Sequence, residues 1–393
     1  MLDTLQPQPA DALLALIKMY AADERPDKID LGVGVYRTNE GATPVFGAIK
    51  QAEERLLGTQ QSKSYLGPEG DMGFVRGLMP YVFGDDAALC ARIEGMQTPG
   101  GTGAVRLAVA LAAKAGVTRF HLGVPSWPNH AQILEDVGVE TLTFDHARRD
   151  GKADLDAVLG AIEARGKGDA VLLHGCCHNP TGIDYTGAQW QEIADGFARS
   201  GALPILDIAY QGLGHGMDAD VAGVRRVLGA VPEALIAYSC DKNFGLYRDR
   251  VGAFYMMVQD ADALPAVTSN ANALARANWS MPPDHGAAAV RIVLEDDALR
   301  EVWLAELDDM RTRMRSVRDR LAAADDEVPE LDLTALAQQN GLFAMLALDK
   351  AQIEALRDDH AIYMAGSGRI NVAGLHRGNI DRFISALATV VAG

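Results

Sequence analysis

The sequence predicts an α/β protein: a large domain with a mostly parallel sheet covered by helices, plus a smaller α+β domain. Three observations carry this expectation. Apolar runs at residues 120–124, 141–144, 170–174, 203–207, 235–238 and 252–257 alternate with amphipathic helical stretches, the pattern of strands covered on both faces by crossover helices. A ligand site in such a sheet lies beyond the carboxyl ends of its strands, and Asp207 and Lys242 fall at such ends. With 393 residues the chain exceeds one small core, and about 150 residues per domain points to two domains.

The chain opens with a helical stretch at 11–22 and a strand-like run at 28–36 that Gly32 and Gly34 interrupt. Residues 46–300 hold the alternating runs and form the large domain. A charged helical stretch at 296–324 has the length and polarity of a connector. Beyond it, 343–348 and 369–373 read as strands of the small domain, which takes residues 1–45 and 301–393.

Composition narrows the function. The net charge of −17 opposes nonspecific attraction to nucleic acid or anionic lipid, so an anionic ligand would need locally arranged arginines. No run approaches the ~20 apolar residues that span a bilayer. The first residues lack a basic segment followed by an apolar one, so the expected location is cytoplasmic. Four cysteines give no disulfide framework, and adjacent Cys176 and Cys177 suit packed thiols in a reducing compartment.

Four segments carry chemistry. Lys242 follows the apolar run 234–238 amid small and polar residues, whereas the other lysines sit in polar or helical surroundings. Partial burial and nearby cations would favour its neutral, nucleophilic form; the alternative is a surface lysine on a loop. Residues 97–106 form a glycine-rich turn into an alanine-rich helix, where backbone N–H groups and Thr102 can cradle an anion; the alternative is a plain helix entry. In the stretch 174–182, His174, Cys176 and His178 would share one face of a strand, but the sequence offers no second ligand cluster, so no metal is expected. Its Asn179-Pro180-Thr181-Gly182 turn sets a side-chain amide at a strand end. Asp207 closes an apolar strand, and an unpaired carboxylate there would cost several kcal/mol, so it needs a cation, either a structural ion-pair partner or a protonated heterocycle.

Together these segments resemble the fold-type I, pyridoxal-phosphate-dependent aminotransferases of class I, in the aspartate and aromatic amino acid aminotransferase branch. The resemblance runs through 31–36, 65–67, 97–103, 126–130, 178–182, 207–212, 239–245, 250–252, 276–283 and 367–369. It implies that Lys242 binds pyridoxal 5'-phosphate covalently and shuttles the substrate proton, that Asp207 pairs with the pyridinium nitrogen, and that His130 supports Asp207. Trp127 would stack on the ring, while Tyr210 and Asn179 would hydrogen-bond its phenolic oxygen. Gly101, Thr102, Ser239 and Arg250 would hold the phosphate, joined by Tyr65 from the neighbouring subunit of a homodimer. Arg369 resembles the arginine for the substrate α-carboxylate, assisted by Asn179, Trp127 and Gly34. Arg276 resembles the arginine that reaches the distal carboxylate from the other subunit.

The implied activity moves the amino group of aspartate, glutamate or an aromatic amino acid to 2-oxoglutarate. Three departures stand out: Met281 where a polar residue is usual, Asp241 where a small hydroxyl residue is common, and Asp30 where Asn is frequent. Alternatives are a lyase or decarboxylase of the same fold, or a noncatalytic cofactor-binding regulator, which the lack of a basic DNA-binding segment disfavours. A nicotinamide-linked dehydrogenase would need the GxGxxG fingerprint, which is missing.

Overall fold

The computed structural model describes residues 2–7, 12–148, 150–163 and 168–392. In chain order its strands are β1 (Ile29–Asp30), β2 (Ile93–Pro99), β3 (Arg119–Val124), β4 (Glu140–Asp145), β5 (Asp169–His174), β6 (Leu203–Ile208), β7 (Ala234–Ser239), β8 (Val251–Met257), β9 (Phe343–Met345), β10 (Ile362–Tyr363) and β11 (Arg369–Asn371). The chain divides into two compact units, Pro44–Arg313 and Met1–Thr43 with Met314–Gly393; the division falls within the long helix Asp297–Ala322.

In the larger unit a seven-stranded sheet runs in the order β2-β8-β7-β6-β5-β3-β4. The pairs among β3 to β7 are parallel, and β8 is antiparallel to both β2 and β7. This topology positions the site. Because β8 returns antiparallel to β7, the connection 240–250 stays at the carboxyl end of the parallel strands. The same logic brings the end of β2 to that edge, with Pro99 paired to Val251 and Ser239 paired to Gly252. Strands β7 and β8 are buried throughout, which is why they read as continuous apolar runs.

Helix Gly100–Lys114 follows β2 and lies on the sheet, with Ala104, Val105, Leu107, Ala108 and Val109 buried. Its small side chains allow a close approach to β7 and β8. Phe120 and Phe254 fill the same core with no exposure, and truncating either to Ala would cost about 3–5 kcal/mol. Strand β2 was not expected, because Glu94, Gly95, Gln97 and Thr98 break the apolar pattern; Gly95 is needed there, since a Cβ would lie 2.4 Å from the Tyr255 ring.

In the smaller unit β1 pairs in parallel with β10, and β9 pairs antiparallel with β11. The expected run at 28–36 is a strand only at Ile29–Asp30. Asp30 Oδ1 accepts the N–H groups of Gly32 (2.9 Å) and Val33 (3.3 Å), which turns the chain out of the sheet. The helix expected at 11–22 spans Ala12–Ala22, and residue 11 lies outside the described residues. The buried Arg318 ties the long helix to β9 by donating to the carbonyls of Asn340, Gly341 and Phe343 at 3.1, 2.9 and 2.7 Å.

Candidate active site

Lys242 lies in the β7–β8 connection, which hydrogen bonds and stacking hold in one shape. Asn243 Nδ2 donates to Tyr238 Oη at 2.8 Å, Trp303 Nε1 donates to the Asn243 carbonyl at 2.7 Å, and the Phe244 and Trp303 rings stack 4.3 Å apart. The Lys242 amine sits 5.2 Å from the centre of the Tyr210 ring, and the residue as a whole is half-buried. Burial lowers its pKa, the carboxylates of Asp241 and Asp207 oppose that shift, and Arg250 adds to it. The expectation of a displaced amine titration therefore holds, with burial and not neighbouring cations as the main cause.

The glycine turn is built for close backbone approach. Gly100 has φ +72°, and a Cβ there would lie 2.4 Å from Arg250 Nη2; one on Gly101 would lie 2.9 Å from Ser239 Cβ. Gly252 of β8 matches this, since a Cβ would meet the Gly100 carbonyl oxygen at 2.7 Å. Arg250 itself has φ +56°, a conformation that an L side chain rarely adopts. Its strain is stored in the connection that carries Lys242. The cradle thus gathers Gly100, Gly101, Ser239 and Arg250, with Thr102 on the first turn of the helix, where Asn129 Nδ2 donates to its hydroxyl at 3.5 Å.

Asp207 on β6 stands in register with His174 on β5. His130 Nε2–H donates to Asp207 Oδ2 at 2.8 Å, and the Ser126 hydroxyl, 2.9 Å from His130 Nδ1, donates back to the ring. A carboxylate only accepts, so this relay fixes the tautomer of His130. Trp127 stands edge-on to His130, with ring centres 5.1 Å apart. The amide Nδ2 of Asn179 donates to Tyr210 Oη at 3.4 Å, and its Oδ1 is buried without a hydrogen-bond partner.

Sequence reasoning weighed the histidines as metal ligands, whereas the structure packs them as a ladder. His174 ends β5, and the chain then leaves the strand, so His174, Cys176 and His178 do not share a strand face. The His178 ring stacks on His146 at 3.4 Å and 3°, and sits edge-on to His174 at 4.3 Å. His146 Nε2–H donates to the Ile183 carbonyl at 2.8 Å, and the Thr181 hydroxyl lies 2.9 Å from His178 Nδ1. Burial lowers the pKa of His146 to about 4 and those of His174 and His178 well below the ordinary value. Two donor clusters do form among the described residues: His130, His174 and Asp207, and Cys176, Cys177 and Asp220. In the first, His130 is committed to Asp207; in the second, Asp220 accepts from the N–H groups of Gly212, Gly214 and His215. His146 and Ser126 went unassigned in the sequence reading; Ser126 could have been found from its spacing of four before His130.

The remaining expected residues lie elsewhere. Tyr65 is 92 % exposed beside a surface cleft of about 1030 Å³ that Gln60, Met281, Asp284 and Arg291 also line. Arg276 is exposed on the last turn of helix Leu264–Asn278, five residues from Met281. In the smaller unit, Arg369 Nη2 donates to the Gly32 carbonyl at 3.1 Å, and its guanidinium lies 4.4 Å over the Phe343 ring. Gly34 faces the same ring: a Cβ there would come within 2.6 Å of it. Asp30, one of the departures, forms an ion pair with Arg37.

Fold and site together define a class. The family model for aminotransferase class I and II matches residues 26–387, and the chain belongs to that family. It is 50% identical over 376 residues to the tyrosine aminotransferase of Rhizobium meliloti (strain 1021), covering 95% of this chain and 96% of that protein. It is 39% identical to the aspartate aminotransferase of Escherichia coli (strain K12), with both chains covered in full. Among solved structures, the aromatic-amino-acid aminotransferase of Burkholderia pseudomallei, described as covalently bound to pyridoxal phosphate, superposes with a TM-score of 0.96 at 33% identity, covering 99% of each chain.

Proposed function

We propose that this protein is an amino-acid aminotransferase that moves the amino group of aspartate, glutamate or aromatic amino acids to 2-oxoglutarate, using pyridoxal 5'-phosphate in two half-reactions. The observation that carries this reading is the pairing, at one edge of the sheet, of the braced Lys242 amine with the Asp207 carboxylate held by His130. The residues present fit the cofactor: two glycines open a cradle against Ser239 and Arg250, and Asn179 Nδ2 and Tyr210 Oη lie side by side as donor groups.

Bound pyridoxal phosphate supplies an electrophilic carbonyl carbon and a ring that accepts the electron pair left when the Cα–H bond breaks. Gly101, Thr102, Ser239 and Arg250 would hold its phosphate. Asp207 would keep a proton on its ring nitrogen, and the Ser126–His130 relay holds the Asp207 carboxyl group in the orientation that this needs. Tyr210 and Asn179 would hydrogen-bond its phenolic oxygen, and Trp127 would cover one ring face. Lys242 is the covalent anchor and the base that takes the proton from the substrate Cα. A lowered amine pKa serves that task, because a base works best near the ambient pH.

Arg369 is assigned to the substrate α-carboxylate, a bidentate role that a lysine could not match, with Gly34, Asn179 and Trp127 assisting. Arg276 is assigned to the distal carboxylate of a substrate in the partner chain's site, and Tyr65 to the partner's phosphate. Their exposure supports a homodimer with shared sites, as do exposed Leu57 and Leu66 nearby in sequence. The larger unit is read as the cofactor-binding domain. A cytoplasmic location is proposed from four free cysteines, three of them buried. Among the described residues no helix is long and apolar enough to cross a membrane.

A panel of amino donors with 2-oxoglutarate tests the reading. Glutamate should form with aspartate and with phenylalanine or tyrosine, each with its matching oxo acid. Release of ammonia or carbon dioxide in place of the oxo acid would contradict it.

A further inference from the structure

We propose that Asp241 is a resident counter-anion of the phosphate cradle: it neutralises Arg250 when no phosphate is held and weakens the cradle's grip on the cofactor. The inference rests on the pyridoxal phosphate reading above. Asp241 directly precedes Lys242, at a position where the resembled enzymes commonly carry a small hydroxyl residue. Arg250 Nη1 donates to Asp241 Oδ2 at 2.5 Å and to the Tyr247 carbonyl at 3.0 Å. The carboxylate side of this pair is 6 % exposed and the guanidinium side 40 %, so the acid is the buried partner. Both abut the glycine turn: a Cβ on Gly100 would lie 2.4 Å from Arg250 Nη2 and 3.3 Å from Asp241 Oδ2.

The charges in the cradle decide the effect. Gly100, Gly101, Thr102 and Ser239 bring donors but no net charge, so Arg250 is the fixed cation of the site. Lys242, the other basic group nearby, is shifted toward its neutral form by burial. A phosphate monoester carries about −1.5 to −2 charges near neutral pH and meets Asp241 as a like charge. The acid cannot retreat easily, because its own N–H donates to Ser239 Oγ at 3.2 Å and fixes the loop. Nor can it surrender Arg250 without cost, since a buried carboxylate that loses its cation is strongly penalised. Burial already pushes the Asp241 carboxyl up, against the pull of Lys242 and Arg250. Arg250 must therefore serve two anions, and the phosphate receives less than the whole of its charge.

The test uses cofactor-free full-length protein at one pH and ionic strength, titrated with pyridoxal phosphate and followed by absorbance. Asp241→Asn keeps the shape and removes the charge, and Asp241→Ser is the second variant. Both should bind pyridoxal phosphate about tenfold or more tightly than the parent, the scale of removing one like charge from a half-buried site. Arg250→Ala should bind more weakly. Asp241 also acts on the Lys242 amine, so the effect on the phosphate is read as the ratio of pyridoxal phosphate to pyridoxal affinity, which should rise in Asp241→Asn, and inorganic phosphate should raise the Tm of cofactor-free Asp241→Asn more than that of the parent. Unchanged or weaker pyridoxal phosphate binding in both Asp241 variants, folded by circular dichroism, would overturn the inference. Failure of every form, the parent included, to bind pyridoxal phosphate would overturn the cofactor reading itself.

Discussion

Around Lys242 and Asp207 the side chains are held from several directions, whereas Tyr65, Arg276 and Met281 stand where the chain offers them little. The Ser126–His130–Asp207 relay, the Asn243–Tyr238 bond and the stacked Phe244 and Trp303 rings are local and buried. Arg276 ends a helix in the open, and Tyr65 is almost wholly exposed. The difference separates two jobs. Chemistry common to every substrate needs groups fixed before the substrate arrives. In the proposed reading, recognition of variable side chains would fall to the exposed groups, Arg276 and Tyr65 serving a partner chain.

The comparison breaks most visibly at Lys242. Lys242→Ala should lower turnover by roughly 10⁴-fold or more, since the anchor and the proton carrier are lost together. Turnover near the parent value would remove Lys242 from the chemistry. Asp207→Ala should slow single-turnover Cα deprotonation by roughly 10²–10³-fold while pyridoxal phosphate is retained, because the cradle is untouched. Loss of the cofactor with no change in the deprotonation rate would reverse the two roles.

At the outer region the effects become selective. Arg276→Ala should reduce kcat/KM for aspartate by roughly 2–4 kcal/mol and change phenylalanine much less, since Met281 offers an adaptable apolar wall but nothing to pin the guanidinium. Equal losses would show that Arg276 does not read the side chain. Mixing Lys242→Ala chains with Arg276→Ala chains should restore aspartate activity in the heterodimer, which holds one intact site.

A last effect is on stability, not turnover, and sharpens the picture of the interior. His146 is held down at about 4, while the unfolded chain titrates near 6.5. The folded-state pKa is the lower one, so stability is fully present above about 6.5 and is lost as pH falls toward about 4, by up to about 3 kcal/mol for this residue. Urea unfolding at stepped pH should show that loss, and His146→Phe should make it smaller while leaving the part due to His174 and His178; parallel curves for the two proteins would contradict a neutral, buried His146.

Much of this was legible in the sequence, for physical reasons that also explain the omissions. Strands β3 and β5 to β8 are covered on both faces or paired on both edges, and their apolar runs are continuous. Strand β2 is buried too, but polar side chains such as Gln97 find partners within the fold: its Nε2 donates to the Pro283 carbonyl at 2.7 Å. Sequence pattern cannot distinguish such a satisfied polar group from an exposed one. Lys242, Asp207 and Asn179 stood out because each is polar at the end of an apolar run. His146 did not, because its meaning lies in stacking on His178, a contact between segments more than 30 residues apart that spacing does not encode. Likewise, the pairing of Asp241 with Arg250 needed the antiparallel return of β8 to bring the two ends of the connection together.

The most direct test of the account is chemical trapping. Protein incubated with pyridoxal phosphate is reduced with borohydride, digested and mapped by mass spectrometry. A pyridoxyl group on the peptide containing Lys242, lost in Asp207-intact Lys242→Ala protein, is the predicted result. A pyridoxyl group confined to another lysine, or none at all in protein that transaminates, would contradict it.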